Sequence, residues 1–106
     1  MWYVYILRCN DGSFYTGSSN NVNNRLRQHN KGKASKYTKS RRPVALLYIE
    51  QFTTKAEALR REIEIKDFST VNKKRLIKHG LGQRFPSPPE LNYSGSGLRS
   101  SVLKFE

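Results

Sequence analysis

The 106-residue chain has one cysteine, few acidic residues and no long run of apolar residues. Cys9 has no second cysteine with which to form an intramolecular disulfide, as is usual in a reducing compartment. No cysteine–histidine cluster is present, so the sequence gives no zinc site. The apolar runs are too short to span a bilayer, and Met1 leads into a strand-like segment rather than a secretory signal. We therefore expect a cytoplasmic protein.

Acidic residues are absent between Asp11 and Glu50, and the whole chain has 20 lysines and arginines against 8 acids, a net charge of +12. This basic stretch contains Arg25 and seven further cations that we predict to bind nucleic acid: Arg27, Lys31, Lys33, Lys36, Lys39, Arg41 and Arg42. Single-signed charge interleaved with aromatic residues favours nucleic acid over a merely solvated surface. Membrane binding is not expected, because the stretch lacks a large apolar face.

Two short apolar segments flank Asn10–Gly12 and predict a β-hairpin. A two-residue turn would place Tyr5 and Tyr15 on opposite faces of the hairpin. A three-residue loop pairs Cys9 with Ser13 and places both tyrosines on the same face. We favour this loop, because Asn-Asp-Gly suits a type I turn followed by a glycine with positive φ.

The segment after the hairpin predicts a helix, a basic loop and a buried strand. Ser19 or Asn20 can cap the helix, which is expected to run to about Asn30. Residues 33–42 are small and basic and are expected to form a loop. The apolar run 44–49 suits a strand that is covered on both faces.

Two further helices are predicted in the second half of the chain. Thr54–Glu57 has the pattern of a capping box, so a helix should run from there to about Asp67. Its main apolar stripe is then formed by Ala56, Leu59 and Ile63. Ser69 can cap another helix that ends at Gly80. Proline, serine and glycine dominate later, which predicts one α/β domain over residues 1–82 and a mobile tail over residues 83–106.

The order and spacing of several short motifs resemble the GIY-YIG nucleases over about residues 1–80. Tyr3–Tyr5 and Tyr15–Gly17 stand where the family carries its two name motifs. Arg25 and His29 follow on the next helix, and residues 58–62 resemble the helix that carries the family's metal-binding glutamate. The similarity is greatest to the small stand-alone UPF0213 group. It implies an α/β fold in which about three helices flank a three-stranded antiparallel sheet.

The resemblance implies a small endonuclease that hydrolyses DNA phosphodiester bonds. Tyr5 and Tyr15 are then the candidates for activating or positioning water. Arg25 is the candidate for binding a phosphate oxygen through its planar fork of donors. His29 is the candidate for donating to a phosphate or for proton transfer. Tyr3 is expected on the other face of its strand, where it would pack.

Glu62 is the candidate metal ligand, and its simpler alternative is a surface ion pair with Lys66. Carboxylates are too few nearby for a two-metal site, so a single Mg²⁺ or Mn²⁺ is expected, with no small-molecule cofactor. Asn72 is an approximate counterpart of a late asparagine of the family and a further candidate site residue. Two alternatives stay open: a non-catalytic nucleic-acid-binding module on the same scaffold, and a basic RNA- or ribosome-associated protein. DNA is preferred over RNA as the partner.

If several cations of the basic stretch contact phosphates, binding should depend strongly on salt. We expect log affinity for duplex DNA to fall linearly with log salt, by about 0.9 unit for each phosphate contact. The measurement is a salt series with duplexes of unrelated sequence. A flat salt response would contradict nucleic-acid binding through this stretch.

Overall fold

The computed structural model describes residues 1–85. Within this range the elements are β1 (Trp2–Arg8), β2 (Phe14–Ser19), α1 (Val22–Asn30), α2 (Lys36–Lys39), β3 (Ala45–Phe52), α3 (Lys55–Lys66), α4 (Thr70–His79) and β4 (Gln83–Arg84). The strands form one antiparallel sheet in the order β2-β1-β3-β4. The predicted α/β class is confirmed, but the sheet has a fourth strand and the basic loop contains a helix. Both additions are too short to give a periodic pattern. None of these helices has the length and apolarity of a membrane span.

The hairpin between β1 and β2 has the three-residue loop that the sequence favours. The Cys9 amide donates to the Ser13 carbonyl at 2.8 Å, and Gly12 has a φ of +87°. The carboxylate of Asp11 accepts hydrogen bonds from the backbone and the hydroxyl of Ser13, at 3.0 and 2.6 Å. These bonds hold the loop in the conformation that sets the register of the hairpin.

The register places the tyrosines of the hairpin together. Tyr5 lies opposite Gly17 and Leu7 lies opposite Tyr15, so Tyr5 and Tyr15 share one face, as predicted. The expectation that Tyr3 faces the other side is wrong. Side chains two residues apart on a strand point the same way, and Tyr3 packs against the same apolar cluster as Tyr5.

Each face of the sheet has its own helical cover. The face with the tyrosines packs against α1 through Val22 and Leu26, the inward pair that the sequence predicts. The opposite face packs against α3 and α4, whose contributing residues are Ala58, Ile65, Leu76 and Ile77. The two helical layers therefore lie on opposite sides of β1.

The cap of helix α1 lies one or two residues later than predicted, since Ser19 or Asn20 was expected at this position. Its N-cap is Asn21, whose Oδ1 accepts from the Asn24 amide at 3.0 Å. The hydroxyl of Ser19 instead accepts from the Asn21 amide at 2.9 Å, which fixes the turn that precedes the helix. The Ser69 cap of α4 and the capping box of α3 are as predicted.

The buried face of α3 differs from the predicted apolar stripe. Leu59 is 40% exposed and Ile63 is 70% exposed, and Ala56 is exposed as well. The face turned to the sheet carries Ala58, Arg61, Glu62 and Ile65. Two of these are charged, but the guanidinium of Arg61 binds Glu50 at 2.7 Å and Glu62 is also paired. Satisfied charges can be buried, and apolar spacing alone does not reveal that they will be.

The folded part of the chain extends at least to Phe85. Strand β4 pairs with β3, with Arg84 opposite Tyr48. The Phe85 amide donates to the Leu47 carbonyl at 2.9 Å, and its ring packs against the cluster around Tyr5. Residues 86–106 lie outside the described residues, so the division into a domain and a tail stays a prediction.

We expect truncation after Phe85 to leave the thermal transition nearly unchanged, because the apolar clusters described above are formed within residues 2–85. Truncation after Gly82 is the matched control, since it also removes β4 and the ring of Phe85. It should lower Tm by several degrees, as a loss of about 1 kcal/mol does in a domain of this size. An equal loss in both truncations would show that residues beyond Phe85 also stabilise the domain.

Candidate active site

The candidate site lies at β2, which is an edge strand of the sheet within residues 1–85. The phenol of Tyr5 crosses this edge directly over Gly17. A Cβ atom on Gly17 would stand 2.5 Å from the Tyr5 hydroxyl and 3.2 Å from the Tyr15 ring. Glycine is required here for close approach and not for its backbone conformation, since any side chain would push the phenol away.

His29 connects this phenol to the interior. It projects from the inner side of α1 and is only 1% exposed. Its Nε2 lies 2.9 Å from the Tyr5 hydroxyl, and its Nδ1 lies 2.7 Å from Oγ1 of Thr38. Its ring also meets Tyr15 edge-on, with 5.0 Å between centroids. Both ring nitrogens are thus bonded within the protein, which leaves His29 no nitrogen for a phosphate and keeps proton transfer through Tyr5 as its predicted role.

Burial controls the protonation of this pair. Burial, assisted by the charge of Arg25, lowers the pKa of His29 to about 4, so the imidazole is neutral at pH 7. Burial, with a contribution from Tyr15, raises the pKa of Tyr5 well above its ordinary value. The charge of Arg25 opposes that rise in pKa. The resting site therefore holds a protonated phenol beside a neutral imidazole.

Arg25 is the predicted phosphate-binding residue, and the structure places it beside both members of this pair. Its charge acts on Tyr5 and on His29, one turn further along α1. The side chain is half-buried, and no carboxylate among residues 1–85 pairs with it. An arginine without an acidic partner, beside Tyr5 and His29, is available to an anionic ligand.

Glu62 reaches the same edge from α3, on the opposite side of the sheet. Its Oε1 accepts from the Ser18 hydroxyl at 2.6 Å, and its Oε2 pairs with Nζ of Lys66 at 2.8 Å. That ammonium lies 6.0 Å from the centroid of the Tyr15 ring. The ion pair with Lys66 is therefore real, and it sits inside the candidate site rather than at a remote surface.

A divalent ion at Glu62 stays a prediction, and the side chains around it limit which kind of ion could bind. Within residues 1–85 no three histidine, cysteine or acidic side chains come together as a metal site. Mg²⁺ commonly takes one or two carboxylates and keeps several waters. Glu62 is the residue that would hold such an ion, in competition with Lys66.

Two contributors that the sequence analysis missed lie on α2, inside the predicted loop. Thr38 binds His29, and Tyr37 stacks on Tyr15 with 6.0 Å between centroids and 27° between planes. The other face of Tyr37 is covered by Arg41, whose guanidinium carbon lies 3.9 Å from the ring centroid. Ser35 is a favourable N-cap residue, but a single serine is weak evidence for a helix, and nothing in the sequence indicates these contacts.

The predicted nucleic-acid contacts fall into two groups. Arg41 pairs with Asp11 at 3.0 Å, and Arg42 donates to the Lys39 carbonyl at 2.8 Å, so both help to hold their own segment. The other five are exposed and have no acidic partner within residues 1–85: Arg27, Lys31, Lys33, Lys36 and Lys39. These five are free to meet phosphates, and their role stays a prediction.

Asn72 is not among the described residues that contact the two phenols. It is exposed in the first turn of α4, where its amide donates to the Ser69 hydroxyl at 3.1 Å. Helix α4 packs on the sheet face opposite the tyrosines. The structure gives Asn72 a place in the cap of its helix, and any part in the site remains a prediction.

Comparisons with known proteins identify the family of the chain. A family model described as the GIY-YIG catalytic domain matches residues 1–79, and the chain therefore belongs to the GIY-YIG family. Within it, the chain falls in the UPF0213 group. It is 55% identical over 78 residues to a UPF0213 protein of Staphylococcus epidermidis and 54% identical over 78 residues to one of Staphylococcus saprophyticus. Each match covers 74% of this chain and 95% of the relative. The solution NMR structure of a UPF0213 protein from Bacillus halodurans is 44% identical, with a TM-score of 0.49, and covers 74% of this chain and 84% of that one.

Because the pKa of His29 is lower in the folded protein than the ordinary 6.5, an unfolded chain takes up this proton first as pH falls. The neutral imidazole of His29 contributes fully to stability above pH 6.5, and this contribution is lost as pH falls from there toward 4. We expect the free energy of unfolding to drop by about 2 kcal/mol between about pH 7.5 and about pH 5. Urea unfolding at the two pH values measures it.

The matched variants are His29→Gln and His79→Gln. His79 is exposed at the end of α4, so its replacement should keep the pH dependence. His29→Gln should abolish most of that dependence. The same slope in His29→Gln as in the wild type would show that the buried imidazole is not its source.

Proposed function

We propose that the protein is a metal-dependent endonuclease that hydrolyses DNA phosphodiester bonds, with a single Mg²⁺ or Mn²⁺ at Glu62. The observation that carries this proposal is the convergence of Tyr5, Tyr15, Arg25 and Glu62 at the edge of β2. Membership of the GIY-YIG family supports a nuclease and a nucleic-acid substrate.

Hydrolysis needs a positioned water and positive charge around the phosphate. Arg25 would bind a non-bridging oxygen and stabilise the charge that grows on it in the transition state. The Tyr5 hydroxyl lies 2.9 Å from Nε2 of His29, and a lone pair of its oxygen would accept a hydrogen bond from water and orient it. A divalent ion held by Glu62 would supply further positive charge at the phosphate and at the leaving oxygen.

The cations around the site would hold the substrate. Lys36 and Lys39 lie on α2, and Arg27 lies on α1, the two helices that also carry Thr38 and His29. A duplex whose phosphates follow these cations would present its backbone near the edge of β2. Contacts of this kind bind without regard to base sequence.

A non-catalytic nucleic-acid-binding module is the second candidate function. It is favoured by the full occupation of Glu62, whose two oxygens are bonded to Ser18 and Lys66. An ion must compete with this ammonium, and no group of three histidine, cysteine or acidic side chains within residues 1–85 forms a ready site for it. The two functions share the basic surface and differ in whether Glu62 is needed for turnover.

Replacing Glu62 with glutamine should separate cutting from binding. The substitution keeps the size of the side chain and the contact to Ser18 but removes the charge that attracts a cation. We expect plasmid nicking at saturating DNA and Mg²⁺ to fall by orders of magnitude, because metal charge at a phosphate is worth several kcal/mol of barrier. Affinity for DNA should stay the same or rise slightly.

Glu64→Gln is the matched control, since Glu64 lies on the same helix and its side chain is 60% exposed. It makes the same change of charge away from the phenols and should nick at the wild-type rate. Equal nicking by Glu62→Gln and the wild type would exclude Glu62 as the metal ligand. If the wild type binds DNA but does not nick it in the presence of any divalent ion tested, the protein is the non-catalytic binding module.

A further inference from the structure

Helix α2 contacts Tyr15 directly and is connected to Tyr5 through His29, although it supplies no group to the proposed chemistry. We propose that Thr38 and Tyr37 are positioning residues: Thr38 fixes His29 and thereby the Tyr5 hydroxyl, while Tyr37 fixes the ring of Tyr15. The effect on turnover rests on the proposed function of the phenols. The proposed geometry of the hydrogen bonds does not depend on that function.

The first contact is a short hydrogen bond in the interior. Thr38 is fully buried, and its Oγ1 lies 2.7 Å from Nδ1 of His29. The threonine is itself fixed at the start of α2, because its amide donates to the capping hydroxyl of Ser35 at 3.2 Å. The imidazole is therefore held at both nitrogens, by α2 on one side and by Tyr5 on the other.

The hydrogens of this chain have one consistent direction. The protonated phenol of Tyr5 donates to Nε2 of His29, so Nδ1 carries the ring hydrogen and donates to Oγ1 of Thr38. The hydroxyl of Thr38 in turn has the Ser35 carbonyl as an acceptor at 3.4 Å. The opposite tautomer would leave the Tyr5 hydrogen without an acceptor among residues 1–85. The Tyr5 hydrogen thus selects the tautomer whose Nε2 lone pair faces the phenol, and Thr38 supplies the acceptor that this tautomer needs at Nδ1.

The second contact is a stack of rings. Tyr15 lies between Tyr37, which stacks on it, and His29, which meets it edge-on. Arg41 presses on the far face of Tyr37 and is anchored by Asp11 at 3.0 Å and by the Tyr37 carbonyl at 2.9 Å. The anchor belongs to the loop of the hairpin, so the ring of Tyr15 is fixed relative to its own strand.

These two contacts come from consecutive residues of one short helix. A displacement of α2 would move the supports of Tyr5 and Tyr15 together. The exposed cations Lys36 and Lys39 lie on the same helix, so phosphates bound there would hold the supports in place. The arrangement couples the seating of the substrate to the geometry of the two phenols.

The nitrogen-15 shifts of the His29 imidazole test the Thr38 part in the wild-type protein at pH 7. We expect the Nδ1–H tautomer, with the other nitrogen unprotonated. A dominant Nε2–H tautomer would overturn the assignment whatever the protein does to DNA. This measurement therefore tests the tautomer assignment independently of the proposed nuclease activity.

Variants then connect the tautomer to turnover. Thr38→Val keeps the shape of the side chain but removes the hydroxyl, and should shift the imidazole toward a mixture of tautomers. Nicking at saturating DNA should fall by about 10- to 100-fold, as a small misplacement of a reacting group can cause, with affinity changed by less than about twofold. Thr38→Ser keeps the hydroxyl and should restore both the shifts and most of the rate. Wild-type shifts in Thr38→Val would overturn the proposal.

Tyr37 is tested by the pair Tyr37→Phe and Tyr37→Leu. The phenylalanine keeps the stacked ring, so the proton shifts of the Tyr15 ring and the nicking rate should stay close to those of the wild type. The leucine removes the ring, and both should change, with nicking lowered about 10-fold or more. Unchanged Tyr15 shifts in Tyr37→Leu would show that the stack does not position the phenol.

Discussion

A hydrogen bond of 2.9 Å between the hydroxyl of Tyr5 and Nε2 of His29 joins strand β1 to helix α1 in the interior of the molecule. Neither group can be left unpaired there without a cost of roughly 1–3 kcal/mol, so the bond constrains the residues around it. Gly17 must lack a side chain to let the phenol reach across β2, and Thr38 must present an oxygen to the other nitrogen. The position of α2 follows from the second requirement, although its four residues have little helical stability of their own.

Charge is distributed over the fold in a way that matches this arrangement. The helices on the tyrosine side carry exposed cations without acidic partners among residues 1–85, whereas the acids of α3 and β3 are largely paired. Glu50, for example, is bound by Arg61 through both of its oxygens. A polyanion on the tyrosine side would therefore meet few acids, and Glu62 is the acid that reaches the edge of β2 from the other side of the sheet.

Local rules predicted much of this structure from the sequence. The Asn-Asp-Gly loop fixed the register, and with it the shared face of Tyr5 and Tyr15. The capping box of α3 and the Ser69 cap of α4 were visible in the same way, because each depends on residues three positions apart. The mistake about Tyr3 was an error in applying the two-residue period and did not come from any ambiguity in the chain.

The remaining features depend on contacts between distant segments, which a single sequence does not encode in an obvious pattern. Leu59 and Ile63 have helical spacing, yet α3 turns Arg61 and Glu62 to the sheet because Glu50 and Ser18 satisfy them. Thr38 and Tyr37 looked like loop residues, since their partners stand nine and twenty-two positions away in the chain. Tertiary partners of this kind override both propensity and apolar periodicity.

The residues of the candidate site come from both helical layers of the fold. His29 and Arg25 come from the helix on one side of the sheet and Glu62 from the helix on the other. They approach one another because β2 has no neighbouring strand beyond it within residues 1–85. Detachment of either helix would dismantle the constellation while most of the sheet persisted. The proposed activity would then require both helices to be docked at the same time. Partial unfolding on one side would abolish it while most backbone amides were still protected from hydrogen exchange. An added strand on β2, from another chain or from an aggregate, would have the same effect, because it would occupy the gap through which the two sides meet.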